Sequence, residues 1–183
     1  RRVLFRSRRV AQYVYNGDYG SNKVKFGAYY GGSSKRDIKN VDLKNNRKNT
    51  WGTGLIFDHE IDSIQNVTVA AGFTREISEN ANETAYYSNA YALGLAYNFV
   101  HTTYGLDFAH KDTKNKDGAG NKVKNNEVTA VIRQGLNEDW NVYAMYSYKT
   151  EKTLPVGSAY SKSTDRQFLV GTEYYVYNQG SLK

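Results

Sequence analysis

The sequence predicts an all-β fold: an antiparallel up-and-down transmembrane β-barrel fragment of about nine strands. Three observations predict it. Between Arg9 and Tyr177, apolar and polar residues alternate in about nine segments of strand length, the period-two pattern of a strand with two different faces. The connections alternate between short turns and long polar loops, as they do when one rim of a membrane-crossing sheet makes tight turns and the other carries the loops. Aromatic residues gather near segment ends (Tyr30, Trp51, Tyr86, Tyr97, Phe99, Tyr104, Tyr148, Tyr177), where interfacial girdles sit.

The first strand is expected from about Arg9 to Asn16, with Asn16, Gly17 and Asp18 starting a turn, since Asn-Gly and Gly-Asp steps tolerate turn geometry. The second, Asn22 to Gly31, alternates Val24, Phe26, Ala28 and Tyr30 against Lys23, Lys25, Gly27 and Tyr29. A long Lys-, Asn- and Asp-rich loop follows, Gly32 to Asn49. The third strand, Thr50 to Asp58, sets Trp51, Thr53, Leu55 and Phe57 on one face. His59 to Gln65 make a turn into the fourth strand, Asn66 to Glu76, and the loop Ile77 to Ala85 is polar.

The fifth strand, Tyr86 to Asn98, alternates most cleanly. Tyr87, Tyr91, Leu93, Leu95 and Tyr97 face one way; Ser88, Ala90, Ala92, Gly94 and Ala96 face the other. A tight connection at Phe99 and Val100 leads to the sixth, His101 to Lys111. A long loop, Asp112 to Asn125, precedes the seventh, Asn126 to Gln134. The eighth, Trp140 to Thr150, sets Val142, Ala144, Tyr146 and Tyr148 opposite Asn141, Tyr143, Met145 and Lys149. The loop Glu151 to Thr164 holds Pro155, and the ninth strand runs from Asp165 to Tyr177. Segments of about ten residues suit a tilted membrane crossing and exceed the usual five or six of soluble sheets.

Composition agrees. The chain has 183 residues with 17 Tyr, 16 Gly and one Pro. Tyr favours strands and wet–apolar boundaries, and scarce Pro suits a hydrogen-bonded sheet. No stretch approaches the roughly 20 apolar residues of a transmembrane helix. Mean hydropathy is −0.72, unremarkable for strands that are apolar on one face only. There is no Cys, hence no disulfide framework. The net charge of +7 comes from loop stretches such as Lys35-Arg36 and Arg47-Lys48 mixed with acids, so a solvated loop face is expected and nucleic acid is not. Arg2 to Ser7 resemble a translated sequencing adapter, so residues 1–7 are expected to be non-native, with the partial barrel domain at 8–183.

The two faces differ in kind. One carries large apolar and aromatic groups, the other Gly, Ala, Ser and Thr together with charge. In a barrel the second face lines a wet lumen and the first meets lipid. Tyr91-Ala-Leu-Gly-Leu-Ala-Tyr-Asn-Phe99, Thr103-Tyr-Gly-Leu-Asp-Phe-Ala109, Trp140-Asn-Val-Tyr-Ala-Met-Tyr-Ser-Tyr-Lys149 and Arg166-Gln-Phe-Leu-Val-Gly-Thr-Glu-Tyr174 resemble the general diffusion porins of Gram-negative outer membranes. The resemblance covers nearly all of 9–183 and is one of pattern, with no single diagnostic motif. It implies a 16-stranded, trimeric barrel of which this chain is a fragment, roughly strands six to fourteen. Ala11, Gln12 and Tyr13 depart from the family's usual phrasing after Arg9-Val10. The family's inward constriction loop, its early strands and its closing strand are not in this sequence.

The resemblance implies an integral outer-membrane location, contact with outer-membrane lipid and lipopolysaccharide, a homotrimer in the parent, no cofactor, and passive diffusion of small hydrophilic solutes and ions. The pore-lining charges expected are Arg9, Lys23, Lys25, Arg133 and Lys149, balanced by Asp107, Glu127 and Glu173, with a mild preference for anions. The lipid-interface aromatics expected are Tyr30, Trp51, Tyr87, Tyr97, Phe99, Tyr104, Tyr148 and Tyr174. The alternative is a structural or adhesive barrel whose extracellular loops bind a partner.

No enzyme is expected. His101 and His110 are about 30 Å apart along one strand at roughly 3.3 Å per residue and point to opposite faces, so they share no metal. Asp58-His59-Glu60 is the remaining local metal candidate, read as an ordinary polar turn. A hydrolase would need Ser, His and an acid converging at one rim, for which His110, Asp112 and loop serines are the available groups.

Overall fold

A computed structural model describes residues 10–32, 34–36, 45–79, 85–115, 122–155 and 161–174. Alternating sequences of this kind extend because each residue can then place its side chain on its own face while the backbone pairs sideways. The strands are β1 (Val10–Tyr19), β2 (Asn22–Gly31), β3 (Ser34–Arg36), β4 (Asn45–Asp62), β5 (Gln65–Glu79), β6 (Ala85–Phe99), β7 (Thr102–Asn115), β8 (Lys122–Gly135), β9 (Trp140–Leu154) and β10 (Ser161–Tyr174). Nine form one antiparallel meander in the order β1-β2-β4-β5-β6-β7-β8-β9-β10; the short β3 pairs with β4 beside that path.

The strands are longer than the sequence suggests. β4 has 18 residues and β5, β6 and β9 have 15. Each extends into the segment expected to be a long loop, because polar residues such as Asp112 and Lys124 continue to alternate and pair beyond the apolar part of the strand. The first turn also moves. Gly17 and Asp18 stay in the ladder, opposite Val24 and Lys23. The turn is made by Gly20 and Ser21, with Gly20 at φ 68°, the backbone that a two-residue hairpin of the II′ kind asks of its first loop residue.

Four tight turns share one rim and bond to their neighbours. The N–H of Glu60 donates to Ser21 O (2.8 Å), that of Val100 to Ile64 O (2.8 Å) and that of Gly135 to His101 O (2.7 Å). At the fourth turn, Asn137 Oδ1 accepts from the N–H groups of Asp139 and Trp140. Val100 has φ 55°, a costly backbone for a β-branched residue.

The register separates the two faces at every expected site residue among the described ones. Partners across an antiparallel pair lie on the same side. Hence Phe26, Leu55, Ala71, Leu93, Phe108, Val128 and Tyr148 share one face. Asn16, Lys25, Ile56, Ala70, Gly94, Asp107, Thr129 and Ser147 share the other.

No hydrophobic residue is buried among the described residues. Leu93, Leu95, Leu106 and Phe168 are instead exposed, Phe168 at 72%. A soluble sandwich closes such a face with a second sheet; this sheet has a single layer. The apolar band on β6 runs from Tyr91 to Phe99. That is roughly 26 Å along the strand at about 3.3 Å per residue, or about 20 Å at a tilt near 40°, close to the apolar height of about 25 Å of membrane barrels.

The band is oblique to the hydrogen-bonded rows. The row that holds Trp51 on β4 continues through Arg75, Asn89, Asp112, Lys124 and Lys152 to Lys162 on β10. Aromatic at one end and basic at the other, it crosses the edge of the apolar band as the tilt and stagger of a barrel wall require.

Candidate functional site: the concave wall

The face of small and charged residues is the inside of the curve. A cavity of about 710 Å³ is lined by residues from Gln12 on β1 through Gly54, Gly72 and Ala92 to Glu127 and Lys149 on β8 and β9. Strands this far apart in the sheet share one cavity only if the sheet wraps around it. A second, of about 570 Å³, lies nearer the tight turns over Ala70, Gly72, Ala92 and Gly94, with Lys25 at one side and Asp107 at the other.

The small residues give long side chains room to lie along the wall. The Tyr29 ring rests over its cross-strand partner Gly52, where a Cβ would come within 2.7 Å of Tyr29 Cε1. Beyond it the Tyr29 hydroxyl reaches Thr74 Oγ1 at 3.1 Å. Tyr143 covers Gly171, and Asp107 covers Gly94, in the same manner. Thr68 Oγ1 donates to Asp58 Oδ1 at 2.6 Å, and Ser147 Oγ to Glu127 Oε1 at 3.2 Å.

The register brings Lys23, Lys25, Asp107, Glu127, Arg133, Lys149 and Glu173 to this face. Arg9 lies outside the described residues. The charges are organised in cross-strand sets. Asp18, Lys23 and Asp58 stand opposite one another on β1, β2 and β4. Glu127, Lys149 and Asp165 do so on β8, β9 and β10. Arg133 and Glu173 form an ion pair of 2.8 Å. Lys25 and Asp107 belong to one row, separated by Ile56, Ala70 and Gly94.

The sequence reading does not name Asp18, Asp58, Glu60, Glu76, Glu151 and Asp165 as wall charges, and all are on this face. Lys111 is a base on this face that it does not name. Parity along each strand is the signal that finds them; Asp18, Glu60 and Glu151 are read as turn and loop, and Asp58, Glu76, Lys111 and Asp165 are end residues of expected strands. With them the described wall has more acids than bases.

The aromatics Tyr30, Trp51, Tyr87, Tyr97, Phe99, Tyr104, Tyr148 and Tyr174 share the apolar face. Tyr97 and Tyr104 stack at 6.3 Å, and Trp140 packs on Tyr174 at 4.7 Å, toward the tight turns. Trp51 packs on Phe73 at 5.0 Å nearer the other rim. Tyr86, by contrast, pairs with Ser78 on the charged face, and Tyr177 lies outside the described residues.

His59 stacks on Phe57 and its Nδ1–H donates to Asn22 Oδ1 at 2.8 Å. His110 makes the same bond to Asn126 Oδ1 at 2.7 Å, on the apolar face. No group of three or more His, Asp or Glu is placed to hold a metal among the described residues. No helix is long and apolar enough to cross a membrane, which says nothing of strands.

No protein-family model and no curated protein matches the chain. Solved structures do. OmpT of Vibrio cholerae, outer-membrane expressed, superposes with a TM-score of 0.63 at 16% identity, over 91% of this chain and 56% of that one. The loop L8 deletion mutant of OmpT gives 0.60 at 14%, over 90% and 53%. In-vitro folded OmpT in a trimer form gives 0.61 at 13%, over 91% and 56%. The fold is that of an outer-membrane β-barrel. The chain spans about half the length of the structures it matches.

These matches correct one expectation. The sequence alone gives no expectation of an enzyme. The proteins matched carry the name OmpT, an outer membrane protein, and at this identity they are relatives in fold alone. A barrel fold serves catalysis at its rim as readily as diffusion through its lumen, so the exclusion of an enzyme is withdrawn.

Proposed function

We propose that the whole protein is an outer-membrane porin, a water-filled channel for passive diffusion of small hydrophilic solutes and ions. The observation that carries this reading is the division of one single-layered sheet into a continuous apolar convex face and a concave face of small, polar and charged residues. A lumen of that kind stays wet, because glycine and alanine leave space and the charges hold water.

Lys25 and Asp107 set opposite charges on two sides of the cavity, across roughly 19 Å of sheet at about 4.8 Å per strand. Such a pair makes a transverse field across a wet lumen with low-dielectric walls, which admits small dipolar and ionic solutes and orients them. The surplus of acids on the described wall favours cations. The homotrimer is part of the proposal and is supported by the trimer form of one matched structure; light scattering of the full-length protein in detergent tests it.

Planar-bilayer recording of the full-length protein tests the channel. Stepwise conductance in proportion to bulk salt is expected, with a reversal potential shifted toward cation selectivity. Lys23→Glu with Lys25→Glu should strengthen that preference. Absence of discrete conductance from protein shown to be folded in the bilayer would overturn the reading.

A further inference from the structure

Two tyrosines of the concave wall each lie across a glycine of the next strand, Tyr29 over Gly52 and Tyr143 over Gly171. A glycine inside a strand weakens it and marks a close approach. Gly52 lets the Tyr29 ring rest on the backbone, and Thr74 Oγ1 holds its hydroxyl end. One ring face is thereby turned to the wall and the other to the cavity of about 710 Å³, which Tyr29 lines. Gln12 stands opposite Tyr29 on β1. The cavity floor beyond is Gly72, Ala90, Ala92 and Ala109, and past it stand Lys111, Asn125, Glu127 and Lys149. Lys111 is two strands past Thr74 with Ala90 between, or about 10 Å at about 4.8 Å per strand. Neither Lys111 nor Lys149 is in an ion pair among the described residues. Asn125 Oδ1 has no hydrogen-bond partner, so its amide turns to a ligand without losing a bond at that oxygen.

We propose that this cavity binds a neutral oligosaccharide of two or three pyranose units, one ring stacked on Tyr29 and the next bonded through its hydroxyls to Lys111, Asn125 and Glu127. The proposal rests on the reading that this face lines a wet channel, and it names the solute class the wall retains. Charges of both signs beside two amides suit hydroxyl groups, which donate and accept at once. An anion alone leaves Glu127 unmatched, and a cation alone leaves the two lysines unmatched. The C–H face of a pyranose complements the electronegative face of an aromatic ring. A single sugar ring on Tyr29 stops short of Lys111, whereas two or three linked rings reach it across the small residues of the floor.

Isothermal titration calorimetry of the full-length protein in detergent tests the site, with maltotriose and cellotriose as probes and glucose and digalacturonate as comparisons. At least one trisaccharide should bind about tenfold more tightly than either comparison. Tyr29→Ala should weaken that binding about tenfold, the worth of one aromatic contact. Tyr143→Ala, at the other glycine-backed ring, should leave it unchanged. No binding of either trisaccharide, equal binding of glucose, or tighter binding of digalacturonate by the unaltered protein overturns the proposal even if Tyr29→Ala fails to fold. Undiminished binding by folded Tyr29→Ala, or a matching loss in Tyr143→Ala, also overturns it. Bilayer conductance of the same samples reports separately on the channel: a conducting protein that binds no sugar keeps the channel reading and removes this one.

Discussion

Arg133 Nη2 meets Glu173 Oε2 at 2.8 Å across an intervening strand. Arg133 stands on β8 opposite Tyr143, and Glu173 on β10 opposite Asn141, so the pair spans β9 diagonally on the concave face. Both side chains are partly open to solvent. A pair so exposed contributes little stability, about 0–1 kcal/mol, but fixes where two charges stand along the wall.

Glu173→Gln should therefore move ion preference toward anions and Arg133→Gln toward cations. Each should change unfolding free energy by less than about 1 kcal/mol. Reversal potentials under a salt gradient, paired with urea unfolding, check both. Shifts of the same sign would place the pair off the conduction path.

The faces should differ in their tolerance of charge. Leu93→Arg, in the middle of the apolar band, should cost about 2–4 kcal/mol for folding into lipid vesicles. Ala92→Arg, one residue away on the concave face, should cost far less. Denaturant titration of folding into vesicles distinguishes them; equal penalties would contradict the assignment of faces.

The wall glycines are unequal. A Cβ at Gly52 would meet Phe73 O at 2.7 Å, a backbone atom that cannot turn aside. Gly52→Ala should cost about 1–3 kcal/mol through overpacking. At Gly94 the close neighbour is the Asp107 carboxylate at 2.7 Å, the end of a side chain that rotates away, so Gly94→Ala should stay within about 0.5 kcal/mol.

Val100→Gly should stabilise the hairpin by about 0.5–1 kcal/mol. It relieves a positive φ, at some cost in unfolded-chain entropy. Comparison of unfolding midpoints checks this, and a destabilised variant would contradict it.

Much of the fold was legible in the sequence because a period of two survives whatever surrounds it. Tyr91 to Tyr97 alternate so regularly that one strand assigned its own faces, and the pairing register extended them across the sheet. Strand ends were less legible. Beyond the apolar band both faces are polar, so parity leaves no visible trace, and Asp112 to Asn115 and Lys122 to Asn125 read as loop. The first turn was misplaced because Asn16-Gly17 is a good local turn, whereas tertiary pairing favours Gly20-Ser21. The wall acids stand where that trace fades: Asp18, Glu60 and Glu151 fall in stretches read as turn and loop, and Asp58, Glu76 and Asp165 are the end residues of their expected strands.

The central claim is that the concave face is wet and the convex face meets lipid. These 183 residues hold no Cys, so each substitution places one thiol in this segment. In the full-length protein folded into lipid vesicles, Ala92→Cys and Ala96→Cys should react quickly with a membrane-impermeant charged thiol reagent. Leu93→Cys and Leu95→Cys should be protected from it and, once labelled with a fluorophore, quenched by brominated acyl chains. Reaction at 93 and 95 with protection at 92 and 96 would contradict the account.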